Sequence, residues 1–462
     1  MTDTIAAIAT GCARTAIGIL RISGPEAHQV LARVFTPFAG KTPLLERPAQ
    51  TLIYGQLHDA HGAVLDHCLA TFSVAPASYT GEDTAELQCH GSPTMLAAGL
   101  EALFAAGARQ AKAGEFTRRA FLNGKMDLTQ AEAVVDLIDA ETISAAKNAV
   151  GQLSGAMGKK IDGIYNQLVD LLAHFHAVLD YPDEDIEPFE AEEIAQSVSK
   201  AAQDLAALRA TYHRGKQLTQ GVPCAIVGRP NAGKSSLLNA ILGYDRAIVT
   251  DIPGTTRDTV EETVTCGGTL LRLIDTAGIH DTADAVEQLG VERSRKAAET
   301  ADLVIAVVDG SQTPPTVDED ILSLSAQAPH WILAVSKNDL NPAAKTAVWQ
   351  LPKELRDPDA FVSFSSVAPG GLDLLVDAVQ SCFPAGTPAD AGSLLTNARQ
   401  ESAVRRSLEA VRRALSALDS GLTPDAVLTD AEEALESIGE LTGRTAKEEI
   451  VGAVFSRFCV GK

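Results

Sequence analysis

Gly228-Arg-Pro-Asn231-Ala232-Gly233-Lys234-Ser235 matches G-x-x-x-x-G-K-[ST] at every fixed position. The strand-like Cys224-Ala-Ile-Val227 leads into it and a helical stretch from Ser236 to Leu242 leads out, with Gly243 as a stop. This context makes a chance glycine-rich turn a poor alternative. The glycines let backbone N–H groups wrap phosphates, and the helix N-terminus adds a favourable dipole. Lys234 is expected to reach the β- and γ-phosphates, and the Ser235 hydroxyl to ligate Mg²⁺. Asn231, Ala232 and Ser236 complete the cradle.

Working outward, short motifs follow in the order a guanine-nucleotide site requires. Thr250-Asp251-Ile252-Pro253-Gly254-Thr255-Thr256 supplies a loop whose Thr256 hydroxyl can complete the Mg²⁺ shell. Asp275-Thr276-Ala277-Gly278 ends the strand-like run from Thr269 to Ile274; its carboxylate can hold the metal through water, and the Gly278 N–H can meet the γ-phosphate. Thr263 to Cys266, Gly267-Gly268 and Thr269 onward read as a hairpin feeding this loop. Ser336-Lys337-Asn338-Asp339 follows the strand Trp331 to Val335, and Asp339 can accept from both the ring N–H and the amino group of guanine, which adenine cannot match. Ser365-Ser366-Val367 braces the base from the next loop. Two positions depart from the usual pattern: Ser336 stands where Asn or Thr is expected, and Ser366 where Ala is expected. A modestly weaker nucleotide affinity is anticipated, with specificity kept by Asp339.

Hydrolysis needs a group to orient water. Ras-like sites use a Gln after the D-x-x-G glycine, but Ile279 stands there and cannot polarise water. Glu287 is a candidate, set against the plainer reading of a solvated helix-start carboxylate. Asn231 could ligate a monovalent cation beside the phosphates, or simply form a turn.

The 462 residues suggest roughly three domains. Hydrophobic residues at 45% and charged residues at 21% argue against disorder. A formal charge of -22 argues against a protein that coats nucleic acid through bulk charge, though not against a local patch. The seven Cys are odd in number and lack C-x-x-C spacing, which disfavours a disulfide scaffold or zinc ribbon and fits a reducing compartment. Without a signal peptide or an apolar run long enough to span a bilayer, a cytoplasmic protein with no membrane partner is expected. Residues 1–122 read as α+β. Residues 123–215 and 386–462 are helical and flank an α/β module at 216–385, so a discontinuous all-helical domain carries the inserted α/β domain. Arg405-Arg406 and Arg412-Arg413 form a basic strip that could touch phosphates, with a solvated helix face as the plainer reading.

The combination of Gly228-Arg-Pro-Asn-Ala-Gly-Lys-Ser-Ser-Leu-Leu-Asn239 with Thr250-Asp-Ile-Pro-Gly-Thr-Thr-Arg-Asp258 resembles the MnmE (TrmE) family of tRNA-modification GTPases. Ile19-Leu-Arg-Ile-Ser-Gly24, Thr80-Gly-Glu-Asp83, Gly114-Glu-Phe116, Arg119-Ala-Phe-Leu-Asn123, Asp127-Leu-Thr-Gln-Ala-Glu-Ala133 and the tail Phe458-Cys-Val-Gly-Lys462 agree, so the resemblance spans essentially the whole chain. It implies a multidomain α+β and α/β protein: an N-terminal tetrahydrofolate-binding and dimerisation domain, a helical domain and an inserted Ras-like P-loop G domain. It implies a homodimer working with a flavoprotein partner, MnmG (GidA), as a heterotetramer, with FAD and NADH entering through that partner. The activity implied is installation of a carboxymethylaminomethyl or aminomethyl group at C5 of the wobble uridine of certain tRNAs. The one-carbon unit comes from 5-formyl- or 5,10-methylene-tetrahydrofolate. The resemblance also implies that K⁺, held by Asn231 with backbone groups of Thr250, Ile252 and Thr255, promotes G-domain dimerisation and hydrolysis, and that Glu287 is catalytic. It places Arg21, Glu86, Lys125 and Lys462 at folate-contacting positions and Cys459 as a candidate functional thiol; unaided, the four charges read as surface or structural. A ribosome-assembly GTPase, or a switch that only regulates partners, is the rival reading; the single P-loop speaks against the first.

Overall fold

The computed structural model describes the chain apart from residues 1–2, 12, 39–41, 181–190, 245–261, 275–294, 312–317, 342–351, 353, 368–370, 385–390 and 421–423. The chain divides into two compact units, one of residues 1–135, 152–205 and 403–462, the other of 136–151 and 206–402.

In the first unit, strands β1 (Ile5–Ile8), β2 (Ile17–Ser23), β3 (Phe35–Pro37), β4 (Ile53–His58), β5 (Val64–Ser73), β6 (Thr84–His90) and β7 (Arg109–Gln110) form one sheet in the order β3-β4-β5-β6-β2-β1-β7. Its pairs are antiparallel except β1 with β7. The strands alternate as a half-buried sheet should: Leu20 and Ile22 on β2, and Ile53 and Leu57 on β4, turn inward. Helices Ala27–Val34 and Pro93–Ala105 pack Leu31, Leu96 and Leu103 into this core, the second starting with Pro in its first turn, where no N–H is needed.

Helix Glu115–Leu122 brings a charge into the interior. Arg119 is fully buried and reaches Asp3, Glu82 and Glu115 at 2.9, 2.9 and 3.1 Å. Burial alone would raise the Glu115 carboxyl, but hydrogen bonds from Arg109, the Lys112 N–H and Arg119 outweigh it and bring the pKa down to about 2. The buried ions are thus paired on several sides, which is the condition for keeping them there.

The helical part of this unit pairs Ala156–Asp180 with Pro424–Thr442. Glu448–Phe455 adds Val451, Val454 and Phe455 to a cluster with Leu128 and Phe458. Three of the four arginines of the basic strip on Ala398–Asp419 are engaged with acids: Arg406 forks onto Glu440, Arg413 meets Asp430 and Glu433, and Arg405 lies 3.1 Å from Glu409; Arg412 is exposed. Carboxylates facing these arginines lower the positive charge this helix face presents.

In the second unit, β8 (Val222–Val227), β9 (Glu262–Cys266), β10 (Thr269–Leu273), β11 (Leu303–Asp309), β12 (His330–Ser336) and β13 (Ala360–Ser363) run in the order β13-β12-β11-β8-β10-β9. All pairs are parallel but the β9–β10 hairpin, whose Gly267-Gly268 turn has φ of 61° and 79° at its two residues. Two successive positive φ values suit a turn that continues the strand twist, and glycine adopts them without penalty. β11 is buried from Leu303 to Val308, as a central parallel strand covered on both faces should be. Ile226, Leu237 and Ile305 fill one face of the sheet; Val227, Val304 and Trp331 fill the other. In such a sheet ligands bind at the carboxyl ends of the strands. There β8 runs into Gly228, β11 ends at Asp309, β12 at Ser336 and β13 just before Ser365. Among the described residues, no helix is long and apolar enough to cross a membrane.

Candidate functional site

The phosphate loop is wound by backbone constraints. Asn231 has φ +60° and Gly233 φ +105°. A Cβ on Gly228 would lie 2.4 Å from the Val307 carbonyl oxygen, so the loop can press against β11 only without one. Helix Lys234–Tyr244 starts at the loop and buries Leu237, Leu238 and Ile241 against the sheet. Lys234 Nζ donates to the Gly228 and Arg229 carbonyls, both at 2.9 Å. An ammonium has three donors, so one is left for a phosphate oxygen. Burial lowers the Lys234 pKa, a cost that a nearby anion would offset.

The loop is tied to the end of β12 by two contacts. The Ser336 hydroxyl donates to the Ala232 carbonyl at 2.5 Å, with Val308 O at 3.2 Å as a second acceptor. Lys337, at φ +56°, sends Nζ to the Asn231 carbonyl at 3.0 Å and to Asp309 Oδ2 at 2.5 Å. The departure at 336 therefore keeps a hydrogen bond to the loop, and the Ser336 side chain packs so close to Gly233 that a Cβ built there would lie 3.1 Å from it, which calls for glycine at 233. Asn338 is buried; its N–H donates to Phe364 O at 3.4 Å and its side chain to Ser363 Oγ at 3.4 Å. Asp339 is exposed beside it. Ser365 is buried and accepts from the Val367 N–H at 3.3 Å, while Ser366 and Val367 are exposed. Ser235 and Ser236 lie exposed at the helix start, where a hydroxyl can serve a metal held by the phosphates.

Asp309 was missed by motif reading. It holds Lys337 and accepts from Ser311 N and Oγ at 2.9 and 2.6 Å; its carboxyl is lowered, with burial opposing and Lys337 leading the opposite effect. The signal was present as Asp309-Gly-Ser311 at the end of an apolar strand, an Asx-turn pattern. Arg229 also pairs with Asp318, which caps helix Glu319–Ser325. A cavity of about 200 Å³ lies between the loop and this helix, lined by Gly228, Arg229, Asp309 and Asp318. Thr250, Asp251, Ile252, Pro253, Gly254, Thr255, Thr256, Asp275, Thr276, Ala277, Gly278 and Glu287 lie outside the described residues.

A second polar site lies in the other unit. Arg21 on β2 and Glu86 on β6 face each other in register and pair at 2.7 Å. The tail docks beside them: Ala113 bridges Val460, Phe116 N donates to Lys462 O at 3.2 Å, and Gly114 N to Cys459 O at 3.4 Å. Gly461, at φ +104°, has no room for a Cβ, which would lie 2.3 Å from Ile8 O. Its carbonyl lies 3.5 Å from Arg21 Nη1. The Arg21 guanidinium sits 5.7 Å from the Tyr79 ring centroid and 5.8 Å from that of Phe116. Burial lowers the Lys462 pKa, Arg21 lowers it further, and Glu86 opposes both. Lys125 reaches the Pro76 carbonyl at 3.1 Å, in the loop that carries Tyr79. The structure thus brings Arg21, Glu86 and Lys462 together, and sets Lys125 on the neighbouring loop. Cys459 is exposed.

Residues 4–125 match the N-terminal region described as "GTP-binding protein TrmE N-terminus", and residues 128–459 match the MnmE helical domain. The chain is 43% identical over 465 residues to a tRNA modification GTPase MnmE of Roseiflexus sp. (strain RS-1), covering 100% of this chain and 99% of that one. It is 43% identical over 467 residues to the protein of the same name from Akkermansia muciniphila, covering 100% of both. Among solved structures, the G domain of the T. maritima FeoB iron transporter is 28% identical, with a TM-score of 0.23, over 34% of this chain and 96% of that one. On its full-length relatives and both domain matches, this chain belongs to the MnmE (TrmE) family and is a GTPase of tRNA modification.

Proposed function

We propose that the chain uses GTP hydrolysis to drive installation of a carboxymethylaminomethyl or aminomethyl group at C5 of the tRNA wobble uridine. In this reading it acts as a homodimer with an MnmG-type flavoprotein that brings FAD and NADH. Mg²⁺ is held by Ser235 and Thr256 with the phosphates. K⁺ is held by Asn231 with Thr250, Ile252 and Thr255, and Glu287 orients the attacking water. The exposed Asn231 leaves its amide available for such an ion.

The observation that carries the reading is the Arg21–Glu86–Lys462 convergence in a chain that also holds a phosphate loop. Two cations beside one carboxylate, with the exposed Tyr79 ring alongside, suit a folate: cations for its glutamate carboxylates, a carboxylate for pterin N–H groups, an aromatic face for its rings. Lys125 extends the basic side, and Cys459 lies in the same docked tail.

The test is a reconstituted reaction containing this chain, the flavoprotein, a tetrahydrofolate one-carbon donor, NADH, GTP and unmodified tRNA. The wobble nucleoside is read by mass spectrometry. Product is expected in KCl, sharply less in NaCl at equal ionic strength, and none with Arg21→Ala, whose GTP hydrolysis stays normal. Full product from Arg21→Ala would overturn the folate assignment, and equal GTP hydrolysis in both salts would overturn the role of K⁺.

A further inference from the structure

The sheet that carries the phosphate loop has a second concentration of chemistry at its opposite end. His330 opens β12, Asp359 immediately precedes β13, and Cys382 closes helix Asp373–Cys382. One ligand atom from each lies within 4.8 Å of the others. Six residues of extended chain separate His330 from Ser336, so this cluster stands about 20 Å from the phosphate-loop end.

The side chains are positioned, and the His330 Nδ1 is left without a hydrogen bond among the described residues. Asp359 is clamped by backbone: its N–H donates to Trp331 O at 2.9 Å and its Oδ2 accepts from Trp331 N at 2.8 Å. That leaves Oδ1 directed at His330 Nδ1, 3.6 Å away, beyond hydrogen-bond range. His330 Nδ1 is buried and makes no hydrogen bond among the described residues. An orphaned buried ring nitrogen calls for an explanation. The ring is steadied by Phe383, edge to face at 5.0 Å between centroids. The remaining charge nearby, Arg356 Nη1, lies 3.7 Å from Asp359 Oδ2. Burial, and then the Asp359 charge, push the Cys382 thiol up to about 11. Carboxylate and thiolate would repel each other here, and the Arg356 guanidinium offsets this only in part.

We propose that His330, Asp359 and Cys382 bind a Zn²⁺-class divalent ion, with water in the fourth position. Imidazole, carboxylate and thiolate are the ligand types zinc takes, and three protein ligands with one open position is an accepted zinc arrangement. A thiolate and an imidazole disfavour Mg²⁺, which demands oxygen ligands, so this ion is distinct from the one at the phosphates. On binding, the Cys382 S–H bond breaks, its proton passes to water, and a metal–sulfur bond forms. The ion clips the starts of β12 and β13 to the end of the helix. Those are the strands whose far ends carry Ser336–Asp339 and Ser365.

The test uses the full chain, cleared of metal with a chelator and then freed of the chelator, without nucleotide. Co²⁺ is titrated in and the near-ultraviolet thiolate-to-cobalt absorption is recorded, followed by displacement with Zn²⁺. A saturable band at one ion per chain is expected, absent in Cys382→Ser and retained in Cys459→Ser. His330→Ala and Asp359→Asn are expected to weaken Zn²⁺ affinity at least about tenfold. Guanine-nucleotide binding reports that each variant is folded, and Asp359→Asn keeps an oxygen for the Trp331 N–H. Absence of the band in the wild type, or its survival in folded Cys382→Ser, overturns the proposal.

Discussion

The phosphate loop and the Arg21 pocket are made by the chain in opposite ways. The loop occupies one short stretch, and much of its geometry is written there: positive φ at Asn231 and Gly233, and a helix that begins at Lys234. The pocket is assembled from afar. Arg21 and Glu86 are 65 residues apart, and Arg21 and Gly461 are 440 apart. A site built locally announces itself as a motif, whereas one built by tertiary docking leaves only scattered charges that look like surface. The comparison also implies independence, because the two sites belong to separate compact units with separate cores. Substitutions that damage one and spare the other would sharpen this, and shared damage would break it.

The largest effect is expected for Lys234→Ala. The ammonium bridges two loop carbonyls and offers its third donor to a phosphate. A hydrogen bond to a charged group contributes about 1.5–3 kcal/mol, so losing the phosphate contact alone predicts up to about a hundredfold weaker GTP binding. Titration with a fluorescent GTP analogue measures it. Tetrahydrofolate binding should not move. Unchanged GTP affinity would mean that the phosphates are held elsewhere.

Gly461→Ala is the reciprocal experiment. The methyl group would need a backbone conformation that L-residues rarely adopt and would meet Ile8 O at 2.3 Å. A cost of about 1–3 kcal/mol for the conformation alone is enough to favour undocking of a short tail. Calorimetric titration with 5-formyltetrahydrofolate should show affinity falling about tenfold or more on that estimate, with GTP affinity intact. An equal loss of both affinities would show that the two units are coupled and that the contrast drawn above is wrong.

The legibility of the sequence follows the same division. The α/β module was readable because β8, β11 and β12 are continuous apolar runs punctuated at their ends by Gly228, Asp309-Gly310 and Ser336-Lys-Asn-Asp339. The helical stretches were readable as such: helices Ala398–Asp419 and Pro424–Thr442 fall inside the segment 386–462 read as helical. Periodicity could not show that Arg406 and Arg413 are matched with acids, because Glu440 and Asp430 come from another helix. Nor could it show the His330–Asp359–Cys382 cluster, whose members are spread over more than fifty residues without motif spacing. The Asp309–Lys337 pair was hidden for the same reason, since parallel pairing of β11 with β12 is what sets them side by side. Pairing across strands is a property of register, and register is written only indirectly in a sequence.

The smallest expected effect tests the loop itself. Ser336 stands where a longer amide or a branched hydroxyl is usual, which suggested a weaker site from sequence alone. The buried hydroxyl nevertheless bonds the Ala232 carbonyl at 2.5 Å. Ser336→Ala removes that donor and leaves a buried carbonyl with one partner fewer, a loss of about 1 kcal/mol, or severalfold in GTP affinity. Ser336→Asn tests the complementary point. Ser336 is buried beneath the loop with its hydroxyl on the Ala232 carbonyl, so a larger amide has to find room in a packed site or turn away from the loop. Ser336→Asn should therefore fail to tighten GTP binding, even though it moves the residue toward the common pattern. Tighter binding by Ser336→Asn would show that the loop has slack and that Ser336 is a true weakness. Equal or weaker binding would show that position 336 is tuned to the packing beneath the loop, so that even in the locally built site one contact depends on a strand more than a hundred residues away.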